Sequence, residues 1–379
     1  MEAPDLTRPA FWDDPRPRVL APPHLRAEGE RLEGLLAGED NPDGAVVFAT
    51  SGSSGPPKWV AFRRAALRSS ARRVNAHLAV SSRDRWLLAL PVYHVGGFGV
   101  AARAMEAGCP LHEADSKWDA PKFAAFAADC GATLVSLVPT QVHDLVAAGL
   151  PAPGSLRAVV VGGGGLTAAT GQRARDLGWP VLASFGMTEA GSQVATAPPD
   201  ALAAPFSPAP LPVLGGWEAR VSGDGCLQLR GDALFDAYLR EDGAVVHRDD
   251  PKVDGWFTTR DRVEIGDGGI TPLGRADRLV KVMGELVDLE ALEAMLAPRW
   301  MAAMCVVALD ETRRGATLVP VFEGPPDPST AALVASCNAS LPGCARLDPP
   351  RFLDPWPRTP LGKTDFPAVS EKISRRPSS

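Results

Sequence analysis

Residues 50–58 read TSGSSGPPK: three serines, a threonine, two glycines and a lysine. Just before them, 45–49 (AVVFA) is apolar and β-branched enough for a buried strand. The segment 64–80 after them carries helical periodicity, so the loop is expected to join a strand to a helix. Glycines let backbone approach an anion, and exposed N–H groups and hydroxyls donate to it. Thr50, Ser51, Gly52, Ser53, Ser54, Gly55 and Lys58 are therefore candidate phosphate ligands. The loop is not a Walker A loop. Counted from Gly52, Pro57 falls where that motif needs glycine and Trp59 where it needs Ser or Thr. A flexible Ser/Gly linker shares the composition, but seldom sits between a clean strand and a helix.

The rhythm continues downstream. Strands are expected at 86–90, 133–138, 158–161 and 181–184, with helices between them and Thr167 able to cap one. Apolar strands alternating with helices predict an α/β fold with mostly parallel sheets. After about residue 201 come four prolines (Pro205, Pro208, Pro210 and Pro212), then short alternating strands, which suggest a small antiparallel β subdomain. A charged junction follows Leu273. The expected division is an N-terminal domain, 1–274, and a smaller, mobile α+β C-terminal domain, 275–379. Residues 1–40 read as an irregular lead-in with one helix at 25–36.

Composition narrows the function. The 379 residues are 45% hydrophobic and 22% charged, with a net charge of −6. Nothing here predicts nucleic-acid binding or attraction to an anionic membrane. No apolar run reaches the length of a membrane span, and the first residues lack a signal-peptide core. Six scattered cysteines without a CxxC pair predict reduced thiols in a cytoplasmic protein.

Three further segments follow strands: His94 with Gly96-Gly97, the glycines 162–165, and SFGMTE at 184–189. Ligands of open α/β sheets bind beyond the carboxyl ends of strands. The loop, the glycine shelf, His94 and the Thr188-Glu189 pair are thus expected around one crevice. A carboxylate beside triphosphate oxygens suits Mg2+. His94 alone reads more readily as a core histidine and Lys363 alone as a solvated lysine, while a helix-start carboxylate is the lesser reading of Glu189. The basic run Arg63, Arg64, Arg68, Arg72, Arg73 reads more readily as a solvated face than as a CoA or carboxylate site.

TSGSSGPPK, SFGMTEAGSQ, GWFTTRD, GRADRLVKVMGELVDLEALE and PRTPLGK occur in this order. Together they resemble the core motifs of the acyl-adenylate-forming superfamily over about residues 45–363. Within it LPVYHVGGFGV, VVVGGGGLT and SFGMTEAGSQVAT look most like the o-succinylbenzoate–CoA ligases of menaquinone biosynthesis. The resemblance implies that ATP, Mg2+ and coenzyme A take part. A carboxylic acid becomes acyl-AMP, then a CoA thioester. It implies phosphate contacts from 50–58, Mg2+ at Glu189 and an α-phosphate contact from Thr188. It implies nucleotide and acyl walls from Gly162, Gly163, Gly164, Ser184, Phe185 and Gly186. It further implies a ribose contact at Asp261 with Arg275 nearby, cofactor contacts from Lys281 and Gly284, a hinge at Asp277, and Lys363 on the reacting groups. His94, Thr188, Ser192, Gln193 and the shelf would hold a second carboxylate, with Val95, Phe98 and Val194 covering a benzene ring.

The chain departs from that pattern at Trp59, Arg260 and Gly165 and in a shortened N-terminal part. Another aryl- or acyl-CoA ligase, a stand-alone adenylation enzyme and a non-catalytic nucleotide binder are the alternatives. The oligomeric state, a homodimer included, stays open.

Overall fold

The computed structural model describes the chain except for residues 1–5, 7, 38–43, 51–57, 116, 284, 298–299, 301, 312–313, 360–361 and 376–379, and the side chain of Thr50. It divides into two compact units. One is built mainly from residues up to Pro272, the other from Leu273 onward with Arg260–Arg262.

In the first unit a six-stranded sheet runs in the order Leu111–Glu113, Trp86–Leu88, Leu134–Leu137, Ala158–Val161, Val181–Met187, Ser192–Thr196. The first five strands are parallel and the last is antiparallel. Leu134–Leu137 and Ala158–Val161 are buried along their whole length, which is why they read as unbroken apolar runs. The helices Val95–Ala107, Ala120–Asp129, Pro139–Ala147 and Ala168–Asp176 lie between strands in sequence. Thr167 caps the last, accepting from the Thr170 amide at 3.1 Å, as its sequence position predicts.

A second sheet runs Arg18–Leu20, Ala45–Thr50, Lys58–Arg63, Ala237–Asp242, Val245–Asp249. It corrects the expected strand–loop–helix order. Residues 50–58 join the two arms of an antiparallel hairpin, with Ala45 opposite Arg63 and Thr50 opposite Lys58. The helix Arg64–His77 begins only after the second arm. That arm, KWVAFR, is exposed at both ends and buried over its four central residues.

The pleat explains how both faces are covered. Val46, Phe48, Val60 and Phe62 point into the main core. Ala45, Val47, Ala49, Trp59, Ala61 and Leu239 point the other way, against Leu32 and Leu36 of the helix Arg26–Ala37. Gly29 of that helix permits the approach: a Cβ there would lie 2.8 Å from the Ala21 Cβ. Trp59 is therefore a core residue with its ring turned away from the Lys58 face, packed on a helix.

The short antiparallel sheet is present, in the order Glu218–Val221, Cys226–Arg230, Phe257–Gly266, Gly269–Arg275. The second unit is α+β. It holds the hairpin Leu279–Val282/Glu285–Asp288, a sheet of Met304–Glu311, Gly315–Glu323 and Arg351–Leu353, and the helices Leu289–Leu296, Pro328–Asn338 and Phe366–Ser374. The lead-in, expected to be irregular, adds a strand to the second sheet and packs Phe11 and Trp12 against Phe98.

Candidate active site

Because the strands of the six-stranded sheet are parallel, the residues that follow them gather at one edge. His94 stands at the N-cap of Val95–Ala107, half-buried, its ring 4.7 Å from that of Tyr93. Gly162 follows Ala158–Val161 and lies against Ser184, where a Cβ would come within 2.7 Å of Oγ. Ser184 Oγ donates to the Val161 carbonyl at 3.0 Å, tying the glycine shelf to the strand that leads to Thr188. Gly186 pairs with Gln193 so closely that a Cβ would sit 2.0 Å from the Ser192 carbonyl oxygen.

Thr188 and Glu189 lie on a single helical turn, Thr188–Ala190, closed by Gly191 at φ +64°. Glu189 is half-buried, and Tyr238 Oη donates to its Oε1 at 2.8 Å. The face of the same Tyr238 ring carries Lys58 Nζ, 5.0 Å from its centroid. Lys58 and Glu189 are thus brought together through a residue that the sequence reading missed. Ser51, Gly52, Ser53, Ser54 and Gly55 lie outside the described residues, as does the Thr50 side chain.

No three His, Cys, Asp or Glu side chains gather into a metal site among the described residues. The Glu189 carboxylate still fits Mg2+. A single carboxylate is a weak trap for a bare hard cation, yet it is the usual protein share for one already carrying phosphate oxygens and water.

The second missed residue is Arg103. It lies within the helix Val95–Ala107, 1% exposed, with its guanidinium 5.6 Å over Trp86. Nη2 donates to Ser192 Oγ at 2.8 Å and Nη1 to Ser136 Oγ at 3.3 Å. With the Gln193 amide turned to present its oxygen, that oxygen accepts from Nη1 at 3.2 Å and Nη2 at 3.0 Å. Nε has no partner, and no carboxylate pairs with Arg103 among the described residues. Burial pulls its pKa down to about 9, which leaves it charged at neutral pH. A cation surrounded only by neutral oxygens is an expensive arrangement that an incoming anion would relieve. The sequence held one signal: a lone arginine amid GFGVAA, where the rest of the helix face is small or apolar.

Two expected ring-covering residues are buried in the core. Phe98 is 1% exposed, with Phe48, Phe11 and Trp12 5.2 to 6.0 Å away, and Val194 is fully buried. The basic run of the helix Arg64–His77 is already engaged. Arg68 and Arg72 pair with Glu106, Arg73 with Asp232 and Arg63 with Asp236, while Arg64 donates to the Gly44 and Arg16 carbonyls.

The remaining candidates belong to the second unit. Asp261 accepts from Arg275 Nη1 at 3.3 Å. Arg275 also forks onto Asp277 at 2.9 and 3.0 Å, and Arg260 reaches Asp277 at 3.7 Å. Lys281 is exposed on Leu279–Val282; Gly284 lies outside the described residues. Lys363 sits in a tight turn, its carbonyl accepting from the Thr359 amide at 2.7 Å. Its side chain keeps solvent access, yet the protein mass around it and, second, the Arg275 guanidinium lower its pKa. Two cations that raise each other's cost favour an anion between them.

The model of the family described as AMP-binding enzyme matches residues 17–230. A 2-succinylbenzoate–CoA ligase of Escherichia coli is 33% identical over 248 residues, 65% of this chain and 51% of that protein, so this chain spans about half its length. A probable 2-succinylbenzoate–CoA ligase of Mycobacterium tuberculosis is 30% identical over 374 residues, 94% of this chain and 92% of that one. A variant of E. coli MenE solved with bound OSB-AMS superposes with a TM-score of 0.71 at 27% identity, over 89% of this chain and 70% of that one. With more than half its length matched by the family model and one relative aligned nearly end to end, this chain belongs to the AMP-binding enzyme family.

Proposed function

We propose that the chain is an ATP-dependent acid–CoA ligase that activates o-succinylbenzoate, a cytoplasmic step of menaquinone biosynthesis. A carboxylate oxygen of the acid attacks the α-phosphorus of ATP and pyrophosphate leaves, giving acyl-AMP. The CoA sulfur, losing its proton, then attacks the acyl carbon and AMP leaves. Mg2+ supplies charge neutralisation for the departing pyrophosphate.

The chain's own residues divide the work. The 50–58 loop and Lys58 hold the β- and γ-phosphates, Thr188 contacts the α-phosphate and Glu189 takes the metal. Gly162, Gly163, Gly164, Ser184, Phe185 and Gly186 wall the nucleotide and acyl group, and His94 lines the acyl pocket. Asp261 accepts from the ribose hydroxyls beside Arg275, while Lys281 and Gly284 contact the cofactor. Lys363 stabilises charge developing in adenylation. The domain carrying these last groups, from about residue 275, re-aims between the two steps around Asp277.

The observation that carries the substrate assignment is Arg103. o-Succinylbenzoate has a second carboxylate that is not activated and must be held. Ser192 accepts from Arg103 with its lone pairs, so its own hydrogen is left to donate elsewhere. A substrate carboxylate there gains a hydroxyl donor backed by a buried positive charge, and the arginine gains its missing anion.

Pyrophosphate release across a panel of acids tests this. The reading predicts kcat/KM for o-succinylbenzoate at least ~100-fold above that for benzoylpropionate or benzoate, since sites built on hydrogen bonds reject analogues lacking the partner strongly. Comparable turnover of the monoacids, or preference for a fatty acid, overturns the substrate. No pyrophosphate release with any acid overturns the ligase.

A further inference from the structure

Tyr238 is one of two tyrosines in the chain, and it stands where two distant segments meet. The strand Ala237–Asp242 pairs antiparallel with Lys58–Arg63, with Tyr238 opposite Val60 and Leu239 opposite Trp59. Directly paired residues share a face, and so do residues two apart on one strand. Lys58, Val60 and Tyr238 therefore share one face, while Trp59, Ala61 and Leu239 share the other. The register puts the Tyr238 ring under Lys58 Nζ, at 5.0 Å, and points its hydroxyl at Glu189 Oε1, at 2.8 Å. The backbone adds a second tie, since the Phe235 amide donates to the Glu189 carbonyl at 2.9 Å. The ring is braced in turn by Phe235, 4.7 Å away.

We infer that Tyr238 is a positioning residue for the metal–nucleotide site: its hydroxyl orients Glu189 toward the cation, and its ring face seats Lys58 toward the phosphates. The inference rests on the ligase reading above. The physics is direct. Glu189 sits on a three-residue turn with a flexible side chain, which must lose rotamer freedom when it takes a cation. A donor fixed to one oxygen removes part of that freedom in advance and leaves the other oxygen to take a cation. The phenol donates without carrying positive charge, so it orients the carboxylate without neutralising it. The same ring offers the ammonium an apolar face of negative quadrupole. One side chain thus contacts both the anion and the cation of the site.

Tyr238→Phe removes the hydroxyl alone and keeps the ring; Tyr238→Leu removes both. The readouts are calorimetric titration of ATP into the full chain with EDTA and with graded Mg2+, and the melting temperature. Tyr238→Phe is expected to bind ATP in EDTA within about twofold of wild type and to need about tenfold more Mg2+ for half-saturation, the weight of a hydrogen bond to a charged group. Its melting temperature should stay within about 2 °C. Tyr238→Leu should also weaken ATP binding in EDTA. Because the hydroxyl acts through Glu189, the double variant with Glu189→Gln should need no more Mg2+ than Glu189→Gln alone. An unchanged Mg2+ requirement in Tyr238→Phe, or additive losses in the double variant, overturns the inference while Glu189→Gln still reports on the ligase reading. ATP binding by wild type that ignores Mg2+ overturns both.

Discussion

Nη2 of Arg103 lies 2.8 Å from Oγ of Ser192, a serine held at φ +145°, outside the usual range for any residue but glycine. Strain of this kind persists where the surroundings over-determine it and clusters at functional sites. Here it accompanies a buried cation with no acid beside it among the described residues. Arg103→Met keeps much of the volume and removes the charge without orphaning a carboxylate. The expected result is a melting temperature equal to or above wild type, since burying an unpaired charge costs more than burying a thioether. Discrimination between o-succinylbenzoate and benzoylpropionate should fall from ~100-fold to within about fivefold. Parallel pyrophosphate assays and a thermal melt read both effects; a destabilised variant with intact discrimination would sink the assignment.

Lys363→Ala separates the half-reactions. If its charge serves only the first transition state, as proposed, adenylation should fall by roughly 10²–10³ while thioester formation from supplied acyl-AMP is largely kept. Rapid-quench measurement of each step decides. Equal losses in both would assign the lysine to structure or to both steps.

Asp277 accepts from Arg275 and faces Arg260, at a point where the second unit begins. Asp277→Pro fixes φ near −65°. If the chain turns about this residue between steps, one half-reaction should survive and the other fail. Normal rates for both would place the hinge elsewhere.

Glu293 gives the second unit a pH signature. Burial raises its pKa to about 7, more than the opposing Arg278 guanidinium and Val306 amide lower it. The folded chain thus holds a proton that the unfolded chain releases near its ordinary value of 4.5. The stabilisation is fully present below about pH 4.5 and is lost as pH rises through about 7. Between pH 6 and 8 wild type should lose on the order of 1 kcal/mol, and Glu293→Gln should flatten that slope. Denaturant titrations at the two pH values measure it; an unchanged slope in the variant rules the residue out.

Trp59→Gly, which removes one of the chain's departures from the expected motif, should cost about 3–5 kcal/mol as a large core deletion. Trp59 shares its face with Leu239 and the helix Arg26–Ala37, opposite to Lys58. Binding of ATP at a permissive temperature should therefore survive. A selective loss of nucleotide affinity with normal stability would return Trp59 to the loop.

Much of this molecule was legible in the order of its residues. Ala158–Val161 and Leu134–Leu137 are buried on both faces, so they carry no alternation and announce a parallel sheet. The hairpin arm Lys58–Arg63 escaped because WVAF is equally the start of an apolar helix face, and four residues are too few to decide a period. Glu189 and the glycine shelf stood out by type and place. Arg103 and Tyr238 did not, for a common reason: each matters through partners 89 and 49 residues away in sequence, and a pattern along the chain holds no record of them.

The strand Ala237–Asp242 also dictates when the site can exist. Lys58–Arg63 is made early in synthesis, yet its outer edge stays unpaired until a strand some 170 residues later is laid beside it. Long-range closures of this kind fold late and leave sticky edges in the interim. A fragment ending before Ala237 would carry the hairpin of Ala45–Thr50 and Lys58–Arg63 with one rim open and without Tyr238, and it should precipitate more readily than the longer chain. Truncation is thus a poor route to a minimal nucleotide-binding piece of this protein, and a nascent chain stalled short of that strand is a natural client for chaperones.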